Sequence, residues 1–311
     1  MIDVDKILFR ASTMGDLLTE GDGMITAIQS AKLLELQSRQ SKAALGQDKP
    51  LTDNMRDELA KLVHKRDNPE LSLTCQKRLI KVYAFEMYGR TEDITSKYLE
   101  KGISEEENSI TLYSRVKKKA FKKNTERLNN KFITGLPDLW DGEGLIIQEA
   151  EEIIDLKSSW SLITFLNAKV DKKMNHDYKW QGNSYLGLVP KAKRFRLAYC
   201  LVNSPAKLIS DEKFKTQREL GFLDPQMADA DPYYIERCQA IERNHIFDLG
   251  LFKEHYPHFD LHNDAADWCW DIPKEKRVHE FVFDRNEAEI SQLYKRVPEC
   301  RKWIKETFLL E

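Results

Sequence analysis

Apolar and polar positions along this chain follow a helical spacing up to about residue 130, and the pattern then changes. A short extended start leads to a turn near Gly21-Asp22-Gly23, and the spacing predicts a helix over 24–45. Two further helices are expected over 53–65 and 72–88, separated by the breaker Asp67-Asn68-Pro69. Another begins near Ser104, with Glu105, Glu106 and Glu107 in its first turn, where the helix dipole favours acids, and runs to about Asn129. Beyond it the pattern suits strands: 131–136 ending at Pro137-Asp138, then Ile153-Ile154-Asp155-Leu156-Lys157, then 196–202. Helices are expected over 175–188 and, in pieces, over 212–256. A late strand at 279–283 precedes a closing amphipathic helix over 286–308. A few strands flanked by many helices make the fold class α/β, with a mainly helical part over 1–97 and a core over 98–311, read as one domain.

Composition narrows this picture without redirecting it. The 311 residues are 41% hydrophobic and 32% charged, as in a soluble globular protein with a core. No apolar run is long enough for a membrane span, and Met1-Ile2-Asp3-Val4-Asp5 lacks the apolar stretch of a signal peptide. Five scattered cysteines, none at CxxC spacing, argue against a disulfide framework, a zinc knuckle or an iron–sulfur cluster, and suit a reducing cytoplasm. A net charge of -2 argues neither for nor against a nucleic-acid partner, so local charge decides.

Candidate chemistry centres on Pro137-Asp138 and, seventeen positions on from Asp138, Asp155-Leu156-Lys157. Phosphodiester hydrolysis needs a hard cation held by oxygen ligands, an activated water, and charge stabilisation at the leaving oxygen. Two carboxylates at the ends of neighbouring strands can share such ions. In a strand, residues i and i+2 point to one face, so Lys157 stands beside Asp155 and can hold or deprotonate a water there. An acid-x-Lys triplet alone says little: Asp171-Lys172-Lys173 and Asp211-Glu212-Lys213 match it too, in polar segments read as solvent-facing. Asp155 differs in lying within an apolar strand, where a carboxylate is costly unless paired. A salt-bridged strand end, Asp155 with Lys157, is the bland alternative. Downstream, Tyr178, Gln181, Tyr185 and Leu188 share one helical face, from which Gln181 and Tyr185 could reach both the site and a DNA backbone.

Together these motifs resemble the PD-(D/E)XK nuclease superfamily, and within it the branch with a Gln-x-x-x-Tyr motif: RecB-type nuclease domains and lambda-type or YqaJ-type phage exonucleases. Pro137-Asp138, Asp155-Leu156-Lys157 and Gln181-Gly182-Asn183-Ser184-Tyr185 match the three signatures in order and spacing. The resemblance implies a restriction-endonuclease-like core, a mixed sheet flanked by helices, and Mg²⁺-dependent DNA hydrolysis with Mn²⁺ as a substitute. It implies that Glu106, Asp138, Asp155 and the Leu156 carbonyl bind metal, with Glu105 and Glu107 as alternatives for the helical acid. Lys157 would orient or activate water, and Gln181 would hold the water, the lysine or a phosphate. Ser12, in Arg10-Ala11-Ser12, resembles the residue that contacts a terminal phosphate in phage exonucleases. Three departures stand out: Leu136 replaces a frequent Ser before Pro-Asp, no arginine lies a turn or two before Ser12, and the RecB-type histidine is absent from 98–110.

The cationic run Arg115, Lys117, Lys118, Lys119, Lys122 and Lys123 could neutralise DNA phosphates or form a solvated helix face. His255, His258 and His262, near Asp260 and Asp264, are a remote candidate for a second metal site. The expected partner is DNA, with a single-strand annealing protein and a homo-oligomer implied by the resemblance, in a bacterial or phage-infected cytoplasm. Expected function is an exonuclease on linear duplex in phage-type recombination or repair. The alternatives are an endonuclease or repair-complex nuclease and, in another class, a non-catalytic DNA-binding protein on the same fold.

Overall fold

The apolar run around Asp155 needs cover on both faces, and it receives it at the centre of a sheet. A computed structural model of the chain describes residues 3–19, 25–67, 70–92, 96–121 and 123–309. Ahead of that sheet lie a two-residue strand β1 (Phe9–Arg10) and helices α1 (Met14–Leu17), α2 (Ala27–Ala44), α3 (Asp53–Asp67), α4 (Leu73–Tyr88), α5 (Lys97–Ser104) and α6 (Glu106–Lys117). The middle of the chain holds β2 (Leu128–Asn129), β3 (Ile133–Gly135), β4 (Leu139–Asp141), β5 (Glu152–Ser158), α7 (Leu162–Val170), α8 (His176–Leu188) and β6 (Arg194–Cys200). Then come α9 (Ala206–Glu219), α10 (Pro225–Asp229), α11 (Pro232–His245), α12 (Leu249–His255), β7 (Val278–Asp284) and α13 (Glu287–Phe308).

The strands form two mixed sheets rather than one. The smaller has the order β1-β3-β2, with β1 parallel and β2 antiparallel to β3. The larger has the order β4-β5-β6-β7, in which only β5 and β6 run parallel. On one face of β5 and β6, Ile153, Phe195 and Leu197 join the main core with α8, α13 and the N-terminal segment. On the other, Ile154, Leu156, Ala198 and Cys200 pack with Ile110, Leu112 and Tyr113 of α6. The same α/β class and helix-flanked mixed sheet were expected, but β3 belongs to a different sheet from β5.

Several boundaries differ from expectation for local reasons. The helix expected from Ser104 to Asn129 is the shorter α6, followed by a loop and β2. It ends at Lys118, which caps α6 in the left-handed conformation at φ 54°. Beyond it, Asn124 is tied to the Pro137-Asp138 turn: its N–H donates to the Asp138 carbonyl at 2.7 Å and its side-chain amide to the Pro137 carbonyl at 2.9 Å. The closing helix is fixed by buried Arg301, which donates to the Ile7 and Lys131 carbonyls at 2.6 and 2.8 Å. The expected turn at Gly21-Asp22-Gly23 and the Asn68-Pro69 breaker lie outside the described residues. Among the described residues, no helix is long and apolar enough to cross a membrane.

Candidate active site

Asp138 stands immediately before β4, and the β4–β5 register pairs Leu139 with Ile154. That pairing carries Asp138 alongside the next residues of β5, and its Oδ2 accepts the Leu156 N–H at 2.7 Å. Asp155 points to the α8 face and is 1% exposed. Lys157, two residues on and on the same face, is partly buried, with its Nζ 2.6 Å from Asp155 Oδ2. The ammonium also lies 5.1 Å from the centre of the Tyr178 ring. From α8, the Gln181 side-chain amide donates to Asp155 Oδ1 at 3.2 Å and to the Tyr185 hydroxyl at 2.8 Å. That hydroxyl in turn donates to the Leu136 carbonyl at 3.3 Å.

Two close approaches hold α8 at this distance. A Cβ on Gly135 of β3 would lie 2.8 Å from the Tyr185 ring, and one on Gly182 would lie 2.4 Å from the Phe195 ring. Only a residue without a side chain permits either contact. At the far end of α8, Arg285 donates to the Leu186 carbonyl at 2.6 Å, serving a helix end whose carbonyls lack internal partners. Lys179 and Asn183 of α8 both reach Glu289 of α13, at 2.5 and 2.8 Å.

The electrostatics are those of a site short of positive charge. Burial and the neighbouring Asp155 charge push the Asp138 carboxyl up to about 8, against the opposing pull of Lys157 and the Leu156 N–H. Burial opposes the charge on Lys157, but the Asp155 and Asp138 carboxylates outweigh it and hold the ammonium above its ordinary value. Two acids share one ammonium, which sits 2.6 Å from Asp155 Oδ2. An oxygen donor set with two neighbouring carboxylates and one cation fits a hard divalent cation.

The other expected residues are placed less uniformly. Glu106 begins α6 close enough for its charge to act on Asp138, but its carboxylate pairs with Lys123 at 3.0 Å. Glu105 is buried and accepts from the Asn108 side chain at 2.6 Å, and Glu107 is exposed on Lys123 at 3.2 Å. Among the described residues, no three His, Cys, Asp or Glu side chains converge as a ready ligand set. Tyr185 is 4% exposed, so it buttresses Gln181 instead of facing solvent as a DNA contact. The cationic run is largely paired: Lys117 with Glu280 at 2.6 Å, Lys119 with Asp141, and Lys123 with Glu106 and Glu107. Lys118 is exposed, and Lys122 lies outside the described residues. Ser12 is exposed on a 3₁₀ turn, Ala11–Thr13, packed against α8 and β3. Of the competing triplets, Asp171-Lys172-Lys173 is exposed, whereas Lys213 is buried on Glu242 at 2.7 Å. His262 contacts that same Glu242, and His255 lines a separate cavity. The buttressing by Gly135, Gly182 and Arg285 was not foreseen; the small residue beside Gln181 in the helix was the one available sign of it.

Neither a protein-family model nor a curated protein matches the chain. Among solved structures, it is similar to a phage-related exonuclease from Haemophilus somnus 129PT, with a TM-score of 0.56 and 18% identity over 97% of this chain and 95% of that one. It is also similar to an alkaline exonuclease from Laribacter hongkongensis, with a TM-score of 0.48 and 9% identity over 97% and 89% of the two chains. The fold is the restriction-endonuclease-like one.

Proposed function

We propose that the chain is a metal-dependent deoxyribonuclease acting on linear duplex DNA. The observation that carries this reading is the convergence of Asp138 and Asp155 with the Lys157 ammonium and the Gln181 amide. Asp138, Asp155 and the Leu156 carbonyl would hold Mg²⁺ or Mn²⁺, with Glu106 joining them once released from Lys123. When bound, the cation supplies a Lewis acid at the phosphoryl oxygen and lowers the proton affinity of water. Lys157 is charged beside two carboxylates. It acts here as a donor that orients water or stabilises the departing oxygen, in preference to acting as a base. Gln181, fixed by Tyr185, holds Asp155 in position.

Exonucleolytic action, in phage-type recombination or repair beside a single-strand annealing protein, follows from the resemblance, as does a homo-oligomer. Ser12 lies on the turn against α8, and the contact with a terminal phosphate comes to it from the resemblance. The Leu136 carbonyl already accepts from Tyr185, and its side chain offers no hydroxyl. A modest preference for a 5′-phosphorylated end is therefore expected, reduced further in Ser12→Ala.

The test incubates the protein with end-labelled linear duplex and with closed circular DNA, in Mg²⁺ and in EDTA. Linear duplex should be degraded in Mg²⁺ only, and circles should survive. Asp138→Ala and Asp155→Ala should each abolish cleavage while keeping the fold. Full activity in either variant or in EDTA removes the assignment; rapid cutting of circles removes only the exonuclease part.

A further inference from the structure

The Lys157 ammonium has a neighbour besides Asp155: it lies over the face of the Tyr178 ring, 5.1 Å from its centre. At that separation the negative face of an aromatic ring attracts a cation. Tyr178 stands on α8 one turn before Gln181, and Tyr185 follows one turn after it. Such positions share one helix face. From that face Tyr178 meets Lys157, Gln181 meets Asp155, and Tyr185 meets Gln181.

The ring is itself fixed by packing. Tyr199 is the cross-strand partner of Lys157 in β6, and its ring meets that of Tyr178 edge to face, at 6.2 Å and 74°. Phe281 of β7 meets Tyr199 in the same way, at 6.2 Å and 76°. All three rings pack against the main core. Edge-to-face contact is a preferred arrangement of aromatic pairs, so the row of rings gives Tyr178 a defined place. Lys157 has no such support of its own. Its ammonium is a point charge on a flexible four-carbon stem, and takes one orientation only where something holds it.

Asp155 alone is a poor holder for a lysine that must work beside a metal. Its carboxylate would also serve the cation, and a charge shared with a divalent ion attracts the ammonium less. The face of a ring is no ligand for a hard cation, which takes oxygen. Its attraction for the ammonium therefore does not compete with the metal. We propose that Tyr178 is a positioning residue whose ring face keeps Lys157 in the orientation from which it donates to the water or the departing oxygen. The catalytic consequence rests on the nuclease reading; the contact between ring and ammonium does not.

Fluorination withdraws charge from a ring face and nearly preserves its shape, so it separates attraction from the filling of space. Tyr178→Phe and its mono-, di- and trifluorinated phenylalanine counterparts are compared on linear duplex in Mg²⁺. Across that series kcat should fall stepwise, by about 3- to 30-fold in all, with KM and the urea midpoint level. A second readout needs neither metal nor activity. In the full chain in EDTA, carrying isotope-labelled lysine, the Lys157 ε-methylene protons are assigned by Lys157→Arg. They should lie upfield of their position in Tyr178→Leu, and Tyr178→Phe should keep that shift. Identical positions in the parent and Tyr178→Leu overturn the proposal. So does a kcat indifferent to fluorine, or a loss confined to KM, which would make the ring a DNA contact. A parent inactive in Mg²⁺ refutes the nuclease reading and the catalytic role with it, whereas the upfield shift decides the contact on its own.

Discussion

Gly182→Ala adds one methyl group at the place where α8 comes nearest the large sheet. The new Cβ would stand 2.4, 2.6 and 2.7 Å from three atoms of the Phe195 ring. Carbon atoms are at rest about 3.5–4.0 Å apart, so one partner must move by about 1 Å. Phe195 cannot supply that movement: it is fully buried, with the Phe283 and Tyr185 rings at 5.3 and 6.3 Å and its backbone paired in β6. The helix must therefore lift. Overpacking of this kind costs about 1–3 kcal/mol. Replacing a mid-helix glycine by alanine returns about 1 kcal/mol. A net loss of up to ~2 kcal/mol is expected in urea unfolding followed by circular dichroism. The site should feel the shift more sharply. Gln181 precedes Gly182, and its bond to Asp155 is 3.2 Å long, at the end of the normal range. A further ~1 Å breaks it, and a displacement of that size can lower a rate by about 10²-fold. Adding Phe195→Leu makes room for the methyl group, so the double variant should be more stable than the sum of the single losses. A Gly182→Ala protein at least as stable as the parent, with undiminished cleavage of linear duplex, would refute this account of how α8 is held.

Two further outcomes follow from charged groups. Burial pushes the Glu242 carboxyl up, but bonds from His262, Lys213 and Asn263 outweigh it and hold it down at about 2. Its folded value is below the ordinary one, so its stabilisation is present above about 4.5 and is lost as pH falls toward about 2. Glu242→Gln should flatten that part of the acid-unfolding curve and, by stranding buried Lys213, cost roughly 3–5 kcal/mol at neutral pH; an unchanged curve would count against the pairing. The lysine run gives the second: Lys117, Lys119 and Lys123 are already on carboxylates, so their joint replacement by Ala should leave the slope of log affinity for DNA against log salt within about one unit of the parent. A loss near three would return them to the phosphate contacts.

What was legible in the sequence was what depends on local pattern. The strands around Asp155 and Leu197 are covered on both faces, so their apolar runs are continuous and easily read. Helices α8 and α13 begin at side-chain caps, Asn175 and Asn286, and α13 has a clear apolar stripe. What was missed depends on distant partners. β1 has two residues and exists because Phe9 and Arg10 pair with Ile133 and Thr134, more than a hundred positions away. The loop after Lys118 looks helical in composition, but Asn124 binds the Pro137-Asp138 turn instead. Tyr185 shares a helix face with Gln181, and nothing local says that Gly135 will close over its ring.

The two buried acid–lysine pairs show what separates an ion pair that supports the fold from one available for chemistry. Lys213 and Glu242 are as deeply placed as Asp155, and from sequence Lys213 looked solvent-facing. Their network is closed. The Lys213 ammonium also donates to the Asp260 carbonyl at 3.0 Å, and Glu242 accepts the His262 and Asn263 N–H groups at 2.7 and 2.9 Å. Every strong acceptor there has its donor, so a cation would have to displace one. At Asp138 and Asp155 the balance is the reverse: two carboxylates face one ammonium, and the first acid is pushed toward its protonated form. A hard cation would relieve both conditions at once. Burial of an acid beside a lysine is therefore weak evidence of function, and the unsatisfied remainder after the pair has formed is what directs attention to β5 instead of α9.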